Sequence, residues 1–186
     1  MSTHPEVITL SSEEEASRLW AGALAAFEQA DSSLVSLCES LDLGLRAVEI
    51  LVIQRLQPIK EQFPATIALQ LQLPVPEVEA YRDAVTVPKA LQITEILDLL
   101  SAKALECVAP RLHRGWEDRR FSCQRSRQTA QEAVGLTLET AERDQLLLLT
   151  AYRNRLFRYP PPIRIVPAEI LAAFPALRRV VEALLG

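Results

Sequence analysis

The sequence is poor in the residues that most enzyme chemistry needs. It holds five glycines, three cysteines and two histidines in 186 residues. No glycine-rich phosphate loop and no G-x-S-x-G elbow occurs. Cys38, Cys107 and Cys123 are odd in number, far apart and without C-x-x-C or Cys/His spacing. That pattern excludes a recognisable zinc motif and fits reduced thiols in the cytoplasm. A histidine-based site would have to use His113, because His4 lies near the chain start. No apolar run reaches transmembrane length. The opening STHPEV lacks the basic and apolar regions of a signal peptide. The expectation is a cytoplasmic protein with no enzymatic activity, no cofactor, no metal and no membrane association.

What is abundant points to helices. Leu, Ala, Glu, Gln and Arg dominate, and all are good helix formers. The expected fold is an all-α, multi-helix bundle in a single domain over residues 1–186. It divides into an acidic half, 1–110, basic helices over 111–164 and C-terminal helices over 165–186. The first region carries 7 basic and 16 acidic groups, a net of −9; the second carries 11 and 6, a net of +5. Such a split suits complementary internal faces or two differently charged surfaces.

Capping and breaking residues place the helices. Ser12 with Glu15 reads as a capping box opening a helix with Leu19, Trp20, Leu24 and Phe27. Asp31 or Ser32 caps the next, in which Gly44 is a candidate interruption and which Pro58 ends or kinks. Pro88 opens a long helix to about Val108, with Leu91, Thr94, Leu97, Leu100, Ala104 and Val108 as its buried stripe. Gly135 stops the basic helix that precedes it. Thr137 or Thr140 caps another helix, whose run Leu146–Leu149 points in nearly every direction. A helix apolar all round belongs at the centre of a bundle, so Leu147 and Leu148 are expected in the main core. Pro167 opens the last helix and Pro175 restarts it. Val7–Leu10 and Ile163–Val166 are β-prone and could pair as a minor two-stranded ribbon.

Two stretches bear on function. In Phe63–Val85, the residues Ile67, Ala68, Leu71, Leu73 and Val78 set two short helices across a turn. This spacing resembles the core of a helix-turn-helix unit. Its second helix would begin near Pro76 and present Glu77, Glu79 and Asp83, with Arg82 as the one cation. Phosphates repel carboxylates, so a packed corner is favoured over a DNA reader.

The second stretch, Arg111 to Gln128, is rich in arginine. On a helical wheel Leu112, Trp116, Cys123, Ala130 and Val134 share one face, while Arg111, Arg114, Phe121 and Arg125 share the other. Arg119, Arg120 and Arg127 flank the apolar stripe, where their stems can lie over it. Guanidinium forks beside an aromatic ring suit carboxylates of a partner or phosphates. An alternative is a solvated face paired with Glu117, Asp118 and the acidic half. These seven residues, Arg111, Arg114, Arg119, Arg120, Phe121, Arg125 and Arg127, are the expected partner-binding set. The expected function is a non-enzymatic interaction, regulatory or scaffold protein, binding a protein partner or itself. The alternative is a nucleic-acid-associated regulator that joins the helix-turn-helix-like corner to the basic stretch. A small-molecule site lined by Arg and Tyr ranks third.

Overall fold

The computed structural model describes residues 11–30, 33–71, 91–103, 124–158 and 164–186. These form an all-α bundle of seven helices: α1 (Ser12–Phe27), α2 (Leu34–Leu56), α3 (Ala65–Leu71), α4 (Ile93–Leu100), α5 (Gln124–Val134), α6 (Thr140–Arg158) and α7 (Pro167–Leu185). A 3-10 segment, Gln57–Gln62, follows α2. Among the described residues, β pairing is confined to one parallel bridge between Ser101 and Leu138. Residues 7–10 and 163 lie outside the described residues, so the expected ribbon cannot be placed.

The bundle is organised around α2, which packs against α1, α4, α5, α6 and α7. Its buried residues Leu37, Leu41, Leu45, Val48, Val52 and Leu56 recur every three or four positions along its whole length. The helix passes unbroken through Gly44, contrary to the expected interruption. A Cβ there would lie 2.7 Å from Leu177 Cδ2 and 3.5 Å from Trp20 Cζ3. The missing side chain lets α7 close directly onto α2. That close approach repays the helix-propensity cost of a mid-helix glycine, about 1 kcal/mol. Beyond Leu56 the proline at 58 tightens the chain into the 3-10 segment, as expected.

α1 lies against α2 through a stripe of mostly small side chains, Ala16, Leu19, Trp20, Ala23 and Ala26. Its cap is Ser11, one residue earlier than expected. The Glu14 N–H donates to Ser11 Oγ at 3.2 Å, and the Ser11 N–H donates to Glu14 Oε2 at 3.0 Å. The Ser11 N–H, with the Ser11 hydroxyl donating to the same oxygen at 2.8 Å, holds the Glu14 carboxyl below its ordinary pKa. Aromatic rings join α1 to α7. Phe174 stacks on Phe27 at a centroid distance of 3.8 Å and on Trp20 at 6.0 Å.

α7 runs straight through Pro175 instead of restarting there. Pro175 is exposed, so its ring meets water rather than the packed core. The opposite face, with Ile170, Phe174, Leu177, Val181 and Leu184, is buried.

α4 is shorter than the sequence implies. The Gln92 N–H donates to Glu95 Oε2 at 2.8 Å at its start, and the chain turns extended at Ser101. Ile93, Ile96, Leu97, Leu99 and Leu100 are all buried. The expected stripe holds for Leu91, Leu97 and Leu100, Thr94 is only half-buried, and Ala104 and Val108 lie outside the described residues. In α6 the expectation holds in part for Leu147, which packs against the core, and fails for Leu148. Leu146 and Leu149 are fully buried, Leu147 is half-buried, and Leu148 is 36% exposed. A helix that carries charges on both sides of its leucine run keeps one solvent face.

Candidate interaction surface

Arginines distinguish the parts of this surface, because many of them are consumed inside the bundle. Arg55 sits in the last turn of α2 and donates to the carbonyl of Val134, ending α5. It also donates to the Leu184 carbonyl, near the end of α7, at 2.6 Å. One guanidinium thus meets the C-terminal ends of two helices, α5 and α7, where unpaired carbonyls concentrate partial negative charge. Arg153 of α6 donates to Glu49 of α2 at 2.9 Å, with the two side chains 14% and 23% exposed. It thereby crosses from the basic region to a carboxylate of the acidic half. Arg179 of α7 pairs with Glu142 of α6, and Tyr152 of α6 donates to Glu169 of α7. That hydrogen bond, with burial second, pushes the Tyr152 pKa above its ordinary value.

α5 presents a different pattern. Gln, Arg, Ala and Glu favour its helix, and Gly135 stops it with φ of +70°, a conformation open to glycine. Its buried stripe is narrow and built from small side chains: Ser126, Ala130 and Val134 at four-residue spacing. Small residues bring α5 close to α4 and α2. On the opposite side Arg125, Gln128 and Glu132 are exposed. The Gln128 amide donates to Glu132 at 3.0 Å, so the carboxylate on this face is engaged by its neighbour. Arg127 stands at the boundary, half-buried and engaged in an interaction of its own.

The wheel therefore places Ala130, Val134, Arg125 and Arg127 as the sequence leads one to expect. Arg111, Arg114, Arg119, Arg120 and Phe121 lie outside the described residues, as do His113, Cys107 and Cys123. The corner is described only in its first half, where Ile67, Ala68 and Leu71 of α3 are buried. Leu73, Val78 and the expected second helix from Pro76 lie outside. Arg55 is the residue that sequence reasoning missed. An arginine in the last turn of a largely apolar helix was its available signal.

Among the described residues, no group of three or more His, Cys, Asp or Glu side chains is placed to hold a metal ion. No helix among them is long and apolar enough to cross a membrane. Cys38 is partly buried, and burial pushes its thiol pKa up, away from the reactive thiolate. In comparisons with known proteins, no family model, no curated protein and no solved structure matches this chain.

Proposed function

We propose that the chain is a non-enzymatic interaction or scaffold protein that binds a protein partner, or itself, through the arginine-bearing face continued by α5. The observation that carries this reading is the division of the arginines. Arg55, Arg153 and Arg179 serve the bundle, whereas Arg125 stands exposed on the polar face of α5. That face runs back in sequence into Arg111–Arg120 and Phe121. Guanidinium groups and an aromatic ring are the side chains that protein interfaces favour, and carboxylates are their natural complement. Cytoplasmic location follows from the cysteine pattern rather than from the fold.

The test is affinity capture from extract on immobilised wild type and on a variant carrying Arg111→Glu, Arg114→Glu and Arg125→Glu. The reading expects proteins, or the chain itself, to be retained by the wild type and lost on the variant. Capture that disappears on nuclease treatment would instead support the nucleic-acid alternative, in which phosphates are the contact. Equal capture on both forms would overturn the reading.

A further inference from the structure

The end of α4 is buried, which creates a problem in backbone chemistry. The last carbonyls of any helix lack partners within it, and buried ones must find them elsewhere. Here Leu99, Leu100, Ser101 and Leu138 are all buried, so water does not supply the missing bonds. Ser101 Oγ donates to the Leu97 carbonyl. The Leu138 N–H donates to the Leu100 carbonyl at 2.8 Å, and the Ala102 N–H donates to the Leu138 carbonyl at 3.2 Å. The remaining carbonyls are met by a single side chain. Gln131 of α5 donates through Nε2 to the Ser101 carbonyl at 2.8 Å and, more weakly, to the Leu99 carbonyl at 3.4 Å. Its Oε1 accepts from Thr137 Oγ1 at 3.4 Å.

We propose that Gln131 is a latch that couples the end of α4 to α5 and to residues 136–138, making this junction one cooperative unit that opens and closes together. Its amide is the one described side chain that reaches across from α5 to both Leu99 and Ser101 while meeting Thr137. With the latch closed, Lys103 and Gln124, the described residues on either side of 104–123, are carried by one body. With it open, the Ser101 carbonyl loses its donor and the Ser101–Leu138 bridge stands alone. α1, α2 and α7 do not depend on these bonds and remain folded. The latch is a property of the fold and stands whether or not the arginine face binds a partner.

Native-state hydrogen exchange of the full chain tests this. Gln131→Met keeps the side-chain length and helix propensity but removes the donor. Exchange at the Ala102 and Leu138 amides should rise about tenfold, the size expected for a lost hydrogen bond to a buried carbonyl. Amides of α2 should keep their wild-type rates. Unchanged exchange at Ala102 and Leu138 would show that Gln131 acts by packing alone and would overturn the latch. So would a uniform rise across all helices. Should Gln131→Met fail to fold, the wild type still decides. Ala102 and Leu138 must then open with the same free energy and the same denaturant dependence, below that of α2. Independent opening of the two amides would overturn the proposal.

Discussion

α4 and α6 carry similar runs, ITEILDLL and QLLLLT, and the bundle treats them in opposite ways. α4 is buried almost all round, to the point that Asp98 is buried with it and held in an interaction. α6 buries Leu146 and Leu149 and leaves Leu148 facing solvent. The difference lies in the neighbours one turn away. Leu148 is flanked along its face by Asp144, Ala151 and Arg155, all exposed. Leu149 lies in line with Leu146, Tyr152 and Arg153, which turn inward. A local run of leucines sets hydrophobicity, whereas residues three, four and seven positions away set direction.

The sharpest break in this comparison comes from truncation. Leu149→Ala and Leu99→Ala should each cost about 2–5 kcal/mol, the range for emptying a packed leucine site. Leu148→Ala should change stability by no more than about 0.5 kcal/mol, as exposed positions do. Urea unfolding of the three variants checks the order. A Leu148 cost equal to that of Leu149 would return α6 to the centre of the bundle.

A smaller effect is expected at Gly44. Gly44→Val places methyl groups against Leu177 and Trp20, and overpacking of this kind costs about 1–3 kcal/mol. Thermal unfolding should show a lower midpoint. An unchanged midpoint would mean that α7 is free to retreat from α2.

Arg55→Met should cost about 1–3 kcal/mol, because it leaves the Val134 and Leu184 carbonyls without their donor. Lys at this position should recover only part of the loss, since an ammonium cannot fork to two carbonyls in the same way. Full recovery by lysine in denaturant melts would reduce Arg55 to a point charge.

Tyr152 provides a pH signature. Its hydrogen bond to Glu169 raises its pKa, so the folded state holds the phenolic proton more tightly than the unfolded state. That contribution is fully present below the ordinary tyrosine pKa, near 10, and is lost as pH rises through the elevated folded value. Stability of the wild type should therefore decline more steeply above about pH 10 than that of Tyr152→Phe. Parallel declines would show that the phenolic proton does not contribute.

Much of the fold was legible because helix signals are local. The all-α class, the capping serine-glutamate pair to within one residue, the stop at Gly135 and the start at Pro167 follow from propensity and capping chemistry. What escaped depends on packing partners. Gly44 reads as an interruption until Leu177 is seen over it. Pro175 reads as a break until its exposed side is known. Ser101 ends α4 because Leu138 offers it a bridge, and that partner is far away in sequence. The candidate surface divides in the same way. The wheel places Arg125 outward, while the roles of Arg55 and Arg153 depend on helices that the wheel does not contain.

We propose that Arg111, Arg114 and Arg125 serve a partner, while Arg55 and Arg153 hold the bundle together. Equilibrium urea unfolding of the Arg111→Glu, Arg114→Glu, Arg125→Glu variant, beside Arg55→Met, tests it most directly. The account predicts that the triple variant keeps the wild-type midpoint to within about 0.5 kcal/mol, as surface changes do. Arg55→Met should lose about 1–3 kcal/mol in the same experiment. A triple variant that unfolds, or loses more than Arg55→Met, would make those arginines part of the internal ion-pair network and contradict the claim.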